Sequence, residues 1–548
     1  MLRYNWRRGQ STVWRRSGAV ATRRGVVRRC ARAVSATIEA ELRGRERVPV
    51  SYPGRWIPLN AADVSSIVPR IERFWEDDAL GVLAEFVAIP CLSPDFDHDW
   101  VANGAIDEAA ALLAAWAGRR ALASCAIETL RLPGRTPCVL VDVASTAGSC
   151  APTALIYGHL DKQPPLGTWQ EGLEAFRAVR RADCLYGRGA ADDGYALFAA
   201  LGALEALEAV DAPHGRVLTL IEASEESGSS DLEAYLDALA ERLGPLALVV
   251  SLDSGCVSYD RLWITTSLRG VVNAVLRVDV MTEGVHSGMA GGIVPSSFRV
   301  LRQLLDRVED AATGDVLVPG CDVEVPVRWR NEIAEIAAEF GDDAMGRIPV
   351  LPGVEMAGAD AASRLVRMTW RAALEVTGAA GLPAIEAAGN VLRPSSTLKI
   401  SLRTPPTAEA ERVAEALRET LTDDPPSGAI ISVEIEQASS GWVTPELPSW
   451  LEAAIQDASS WYFGKPPRSF GMGGSIPVVT SLARRYPTTQ FITTGVLGPG
   501  SNAHGPDERL HIPTVKSLTS CTAHLLAALA TAEDAAAATG RPRIPPAG

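Results

Sequence analysis

Five short segments between residues 157 and 508 carry side chains that bind divalent metal ions. They are Tyr157-Gly-His159-Leu-Asp161, Gly187-Arg-Gly-Ala-Ala-Asp192-Asp193, Ser224-Glu225-Glu226-Ser-Gly-Ser, Ser251-Leu-Asp253-Ser and Asn502-Ala-His504-Gly-Pro-Asp507-Glu508. Two imidazoles and several carboxylates form a mixed nitrogen and oxygen donor set, which suits zinc, or manganese or cobalt. Two such ions held side by side polarise a carbonyl and lower the pKa of water, the chemistry of amide hydrolysis. Four of the segments also have a plainer reading. His159 with Asp161 could be a capped strand-end turn, Asp192-Asp193 a helix N-cap, Glu225-Glu226 a solvated helix face, and His504 a solvated loop residue.

These residues need a scaffold that brings them together. Residues 61–89 read as mostly helix, with Asn60 or Asp63 at the start and Pro69 as a candidate break. Helical spacing recurs at 105–116, 196–207 and 232–242, and apolar strand-like runs lie at 138–143, 154–157, 217–221 and 246–252. This alternation predicts an α/β layer with a mostly parallel central sheet. His159, Glu225 and Asp253 each follow one of its strands, where open α/β sheets gather their ligands. From Leu268 the pattern changes to strands at 271–280, 397–403 and 430–435 and helices at 295–308 and 408–421. That is an α+β unit of the ferredoxin-like kind, interrupted by a mixed insertion over roughly 310–390. After Pro445 the α/β character returns, with helices at 449–462 and 516–532 and a strand at 490–493. The expected division is a basic N-terminal extension (1–59), a catalytic domain in two parts (60–267 and 444–535), an inserted lid or dimerisation domain (268–443) and a disordered tail (536–548).

Composition narrows the function. The chain has 548 residues and a net charge of −14, yet residues 1–38 hold ten arginines and no acid, leaving −24 on the remainder. So acidic a body is a poor nucleic-acid partner. The arginine-rich head reads either as a transit peptide or as a disordered or spuriously translated tail. No apolar run is long enough to span a membrane. The nine cysteines form no CxxC pair, which argues against a disulfide scaffold or a thiolate zinc site and favours a cytoplasmic setting.

The segments resemble those of the dinuclear-zinc exopeptidase and amidohydrolase family that includes carnosinase, cytosolic nonspecific dipeptidase, aminoacylase and succinyl-diaminopimelate desuccinylase. The carnosinase and nonspecific-dipeptidase branch is the nearest match. The resemblance is carried by Tyr-Gly-His-Leu-Asp-Lys-Gln-Pro-Pro (157–165), Leu-Tyr-Gly-Arg-Gly-Ala-Ala-Asp-Asp (185–193), Glu-Glu-Ser-Gly-Ser (225–229), His-Ser-Gly-Met-Ala-Gly-Gly (286–292), Val-Leu-Val-Pro-Gly (316–320) and Gly-Gly-Ser-Ile-Pro (473–477). It implies a zinc-exopeptidase-like catalytic domain with the inserted α+β domain, and a role for each residue. His159 and Asp253 would hold one ion, Glu226 and His504 the other, with Asp192 shared and followed by a cis peptide. Asp161 would orient the ligands and Glu225 would be the general base. His286 would reach the active site of a partner subunit in a homodimer and stabilise the oxyanion. Asn390 would belong to that shared wall, and Arg403 and Ser475 would hold the substrate's carboxylate, a strand-edge arginine and a turn serine being the plainer readings.

Two departures stand out. Gly194-Tyr195 replaces the family's usual Lys-Gly, which removes a lysine contact, and Met472 stands where glutamate is common, which makes the pocket for the substrate's amino end less acidic. The expected activity is cleavage of an amide bond beside a free carboxylate by a dipeptidase or carboxypeptidase-like enzyme with two divalent ions, most simply Zn2+. The alternative is an N-acyl-amino-acid amidohydrolase, and a non-catalytic binding relative is less favoured. His98, His214, His511 and His524 read as surface or packing residues.

Overall fold

The computed structural model describes residues 59–346 and 348–532. The basic head up to residue 58, on which both readings of its role fall, and the tail from 536 lie outside these residues. Ala61–Phe74 is a helix capped by Asn60, whose side chain accepts the N–H groups of Ala62 and Asp63 while Asp63 returns the bond. The helix passes through Pro69 without breaking. Pro69 and Ser65 are both exposed, so the carbonyl freed by the missing N–H can turn to water. The irregularity falls later, in the π-helical turn Trp75–Ala79, before the helix resumes at Leu80–Ala88.

The large sheet begins with β1 (Cys125–Leu130), β2 (Cys138–Val143), β3 (Ala154–His159), β4 (Val217–Glu222), β5 (Leu248–Ser251) and β6 (Trp263–Leu268). The chain then leaves it for a four-stranded antiparallel sheet made of β7 (Gly270–Asp279), β9 (Ala373–Ala380), β11 (Ser395–Thr404) and β12 (Ile430–Ser439), in the order β9-β11-β7-β12. Between them β8 (Val285–His286) and β10 (Val391–Leu392) form a small antiparallel pair. The chain returns with β13 (Trp442–Val443), β14 (Arg468–Met472) and β15 (Gln490–Thr493), giving the large sheet the order β1-β2-β4-β3-β5-β15-β6-β13, with β14 also on β6. It is a mixed sheet, parallel through its centre (β4-β3-β5-β15) and, apart from the parallel β14-β6 pair, antiparallel towards its edges.

Helices cover both faces of the large sheet. On one face Trp75, Trp116, Phe198 and Leu526 belong to a single apolar core; on the other, Tyr235, Leu236, Val479 and Leu482 pack on Leu155, Leu218 and Val249. Central strands buried on both faces are accordingly continuous apolar runs. In the small sheet, helices Ser297–Val308 and Ala410–Thr422 cover one face with Val300, Leu304, Val413 and Leu417.

The insertion expected at 310–390 is more than an interruption. It supplies β9, the fourth strand of the small sheet, and the helices Val327–Phe340 and Ala361–Thr369. Trp329 of the first helix and Trp370, just past the end of the second, are buried in one apolar cluster with Trp263, and Phe470 of the large sheet packs against it. The single helix expected at 232–242 is two, Leu232–Ala238 and Ala240–Leu243. Among the described residues no helix is long and apolar enough to cross a membrane.

Candidate metal centre

β3, β4 and β5 run parallel side by side, so their carboxyl ends lie together. His159 is the last residue of β3, Glu225 opens a short 3-10 turn three residues past β4, and Asp253 lies two residues past β5. Asp192 comes from the turn before helix Ala196–Glu208, and that helix can approach β3 because residue 158 is glycine. A Cβ at Gly158 would collide with Ala196 Cβ and Asp193 Oδ2. The Asp192–Asp193 peptide is cis. His504 arrives from a distant loop in the left-handed backbone region, at φ 62°, a conformation that costs a non-glycine residue of the order of 1–3 kcal/mol and clusters at functional sites.

The side chains converge as two triads that share one carboxylate. His159, Asp192 and Asp253 offer donor atoms within 4.8 Å of one another, and so do Asp192, Glu226 and His504. His159 Nε2 lies 3.3 Å from Asp192 Oδ1 and 4.0 Å from Asp253 Oδ2. His504 Nε2 is 3.1 Å from both Asp192 Oδ2 and Glu226 Oε2. The first triad is buried, whereas the His504 side chain is 53% exposed, so the centre opens on the His504 side.

Asp161 is buried and touches one member of each triad. One of its oxygens is 3.5 Å from His159 Nδ1, while its two oxygens accept the N–H groups of Glu225 and Glu226 at 3.1 and 3.0 Å. Gln163 donates to Glu226 at 2.8 Å.

So many acids in one place cannot all stay ionised without cations. Burial, reinforced by Asp253, pushes the Glu225 carboxyl well above the usual range. Burial raises Asp253 to about 7 although His159 opposes it. Burial would also raise Asp192, but the imidazoles of His159 and His504 hold it low. Burial works against a charge on His504, yet Asp192 and Glu226 lift it to about 11. The protein groups alone thus carry a negative field that protons or divalent ions must balance.

The substrate-side residues fall into two groups. Arg403 Nη1 donates to Ser475 Oγ at 3.3 Å, joining the small sheet to the loop after β14. Burial and Arg403 lower the neighbouring Arg269 to about 10, while Arg269 donates to the carbonyls of Gly473 and Arg371. His286 and Asn390 form the second group, on β8 and beside β10, with Ser287 N–H donating to Asn390 O at 2.9 Å. Both are exposed, and neither makes a hydrogen bond or ion pair with the two triads in this chain.

Several residues escaped the sequence reading. Glu222, buried at the end of β4, accepts from Tyr157, Ser224 and Ser229 and so supports the turn that carries Glu225. An acid closing an apolar strand was the available signal. Tyr195, which departs from the family pattern, is buried and donates to Leu252 O beside Asp253. Met472 accepts a hydrogen bond from Ser254 on the other side of Asp253. Of the other histidines, His98 is exposed, His214 and His524 are buried, and His511 stacks on Tyr259.

Residues 155–530 match Peptidase family M20/M25/M40. A cysteinylglycine-S-conjugate dipeptidase of Corynebacterium striatum is 30% identical over 363 residues, 65% of this chain and 77% of that protein. Among solved structures, the M20 family metallo-carboxypeptidase Sso-CP2 from Sulfolobus solfataricus has the same fold, with a TM-score of 0.69 at 23% identity over 83% of this chain and 99% of that one. The di-peptidase Dug1p from Saccharomyces cerevisiae superposes with a TM-score of 0.67 at 21% identity, over 85% and 98% of the two chains. M20 metallopeptidases use divalent metals, and the two triads supply residues able to hold them; the chain belongs to peptidase family M20/M25/M40 and is an enzyme, a metal-dependent hydrolase.

Proposed function

We propose that this enzyme is a dinuclear zinc dipeptidase that cleaves the peptide bond next to a free carboxylate. The observation that carries this reading is the pair of triads sharing Asp192, with Glu225 beside them and outside both. The donors are all imidazole or carboxylate, which fits zinc and also Mn2+ or Co2+. His159 and Asp253 would hold one ion, Glu226 and His504 the other, and Asp192 both. Such ions supply Lewis-acid polarisation and a water of lowered pKa.

The protein's own groups do the rest. Arg403, with Ser475, grips the substrate's carboxylate through its planar fork. Glu225 takes the proton of the attacking water and returns it to the leaving amine, a contribution of roughly 10²–10⁴-fold. Asp161 holds the Glu225 and Glu226 backbone in place.

His286 and Asn390 complete the site from a second copy of the chain. Support comes from their exposure and from the exposed apolar side chains Met289, Ile293 and Ile385 around them. A donor aimed at the developing oxyanion is worth about 3–4 kcal/mol. A reducing, cytoplasmic setting is supported by the eight described cysteines, all unpaired.

Relatives that act on dipeptides favour a Cys-Gly type of substrate and make the N-acyl-amino-acid amidohydrolase the weaker reading. Met472 in the wall beside Asp253 is consistent with an apolar or sulfur-bearing side chain at the substrate's amino end. The test is turnover of Cys-Gly, S-alkyl-Cys-Gly and other dipeptides against N-acetyl and N-succinyl amino acids, with metal content measured on the same protein. Two ions per chain and turnover of dipeptides alone are expected; selective deacylation would overturn the substrate class.

A further inference from the structure

We propose that Arg188 and Glu508 are a positioning pair that sets the geometry of the metal centre; the proposal rests on the two-metal reading above. The two side chains are 1% and 0% exposed and form an ion pair, Arg188 Nη1 to Glu508 Oε2, at 2.6 Å across 320 residues of sequence. The other Glu508 oxygen accepts the N–H groups of Gly189, Ala191 and Asp192 at 3.0, 3.1 and 3.2 Å. It therefore holds the backbone of the shared ligand directly.

Arg188 Nη2 donates to Gly505 O at 2.8 Å, immediately after His504, and to Pro164 O at 3.2 Å, immediately after Gln163. Gln163 in turn holds Glu226. One planar guanidinium and one carboxylate thus tie together the Asp192 turn, the His504 loop and the 161–164 stretch, three segments with no covalent reason to be in register. Close packing leaves this arrangement little slack: Gly189, at φ 81°, lies against the buried stem of Lys162, where a Cβ would collide with Lys162 Cε.

A buried ion pair contributes little net stability, because desolvation offsets the attraction. What this one adds is orientation. Lysine at 188 would keep the charge but lose the fork that reaches Glu508 and two carbonyls at once. Glutamine at 508 would keep an acceptor for the three N–H groups but leave the Arg188 charge unpaired.

The test uses the full chain, stripped with EDTA and titrated with Zn2+ against a chromophoric chelator, alongside far-UV circular dichroism and the thermal midpoint in EDTA. Arg188→Lys and Glu508→Gln are expected to keep the wild-type spectrum in EDTA while losing about 10–100-fold in zinc affinity; Arg188→Lys should also keep the midpoint, whereas Glu508→Gln should lower it, because the Arg188 charge is left buried and unpaired. The loss in Arg188→Lys should be larger for the ion held by Glu226 and His504. Zinc affinities equal to the wild type in either variant would overturn the proposal. So would unfolding of both variants in EDTA, which would mark the pair as a stabiliser of the fold. A wild-type chain that binds fewer than two ions would instead overturn the two-metal reading itself.

Discussion

The carboxylate of Asp161 accepts the backbone N–H of Glu225 at 3.1 Å, with its second oxygen taking the N–H of Glu226 at 3.0 Å. The residue two places beyond His159 thus fixes where the proposed base and the proposed metal ligand of another strand stand. Asp161→Ala removes both acceptors and frees the 3-10 turn. It is expected to lower metal affinity or turnover about 10–100-fold. Zinc titration and steady-state kinetics on the same preparation check this, and wild-type values in both would show that the turn holds itself.

Glu225 belongs to neither triad, so its charge can be removed without removing a ligand. Glu225→Gln should bind two ions per chain and lose roughly 10²–10⁴-fold in kcat. Metal analysis with single-turnover kinetics separates the effects; a near-normal rate would end the general-base assignment.

Arg403 and Ser475 meet at 3.3 Å, and burial lowers the Arg403 pKa without discharging the guanidinium. Arg403→Lys keeps the charge but not the fork, and the lost charged hydrogen bond is worth about 1.5–3 kcal/mol. The expected signature is a rise in KM for dipeptides, with little discrimination left between a substrate and its C-terminal amide. Unchanged preference for the free carboxylate would place that group elsewhere.

His286 is exposed on β8, outside both triads of its own chain. If it serves the partner's site, mixing inactive His286→Ala chains with inactive Glu225→Gln chains should restore activity, because a mixed dimer holds one intact site. The measurement is activity after co-refolding, with the oligomeric state followed by light scattering. Absence of complementation in confirmed mixed dimers would rule out sharing.

Glu76, in the π-helical turn, is bound by Arg180 at 2.6 and 3.0 Å and by Lys516 at 2.7 Å. The Arg180 hydrogen bond, outweighing desolvation and aided by Lys516, lowers its pKa from 4.5 to about 2. A depressed carboxylate stabilises the fold above its unfolded pKa, and that stability is lost as pH falls through the folded one. Glu76→Gln should therefore cost about 1 kcal/mol or less at neutral pH, since the group is near the surface. The difference from wild type should vanish between pH 4.5 and 2. Urea unfolding at several pH values follows the gap; a pH-independent difference would point to packing instead.

Much of this enzyme was readable locally. The apolar runs that became β3, β4 and β5 carry their polar residues just past their ends, and strand-end placement is a property of neighbouring residues. His159, Asp192, Glu225, Glu226, Asp253 and His504 were singled out by the resemblance of short segments to a known family, and the α+β unit between the two parts of the large sheet by its pattern of strands and helices. β9 was not readable, since its sequence Ala-Leu-Glu-Val-Thr-Gly-Ala-Ala has a weak strand pattern and most of its residues lie on an exposed edge. The turn at Trp75 and the role of Tyr195 were hidden for the same kind of reason: each depends on what packs from elsewhere.

Residue type and spacing determined which side chains could bind metal and that they would gather at one end of a sheet. Only the tertiary structure decided that His159 and His504 approach opposite oxygens of one aspartate, that Asp161 holds the neighbours of another strand, and that Glu508 grips the Asp192 backbone. Those contacts join residues 33 to 316 positions apart. They follow from the order in which strands lie side by side, with β4 between β2 and β3. That order is set by the packing of whole helices on both sheet faces, and no local run of sequence encodes it.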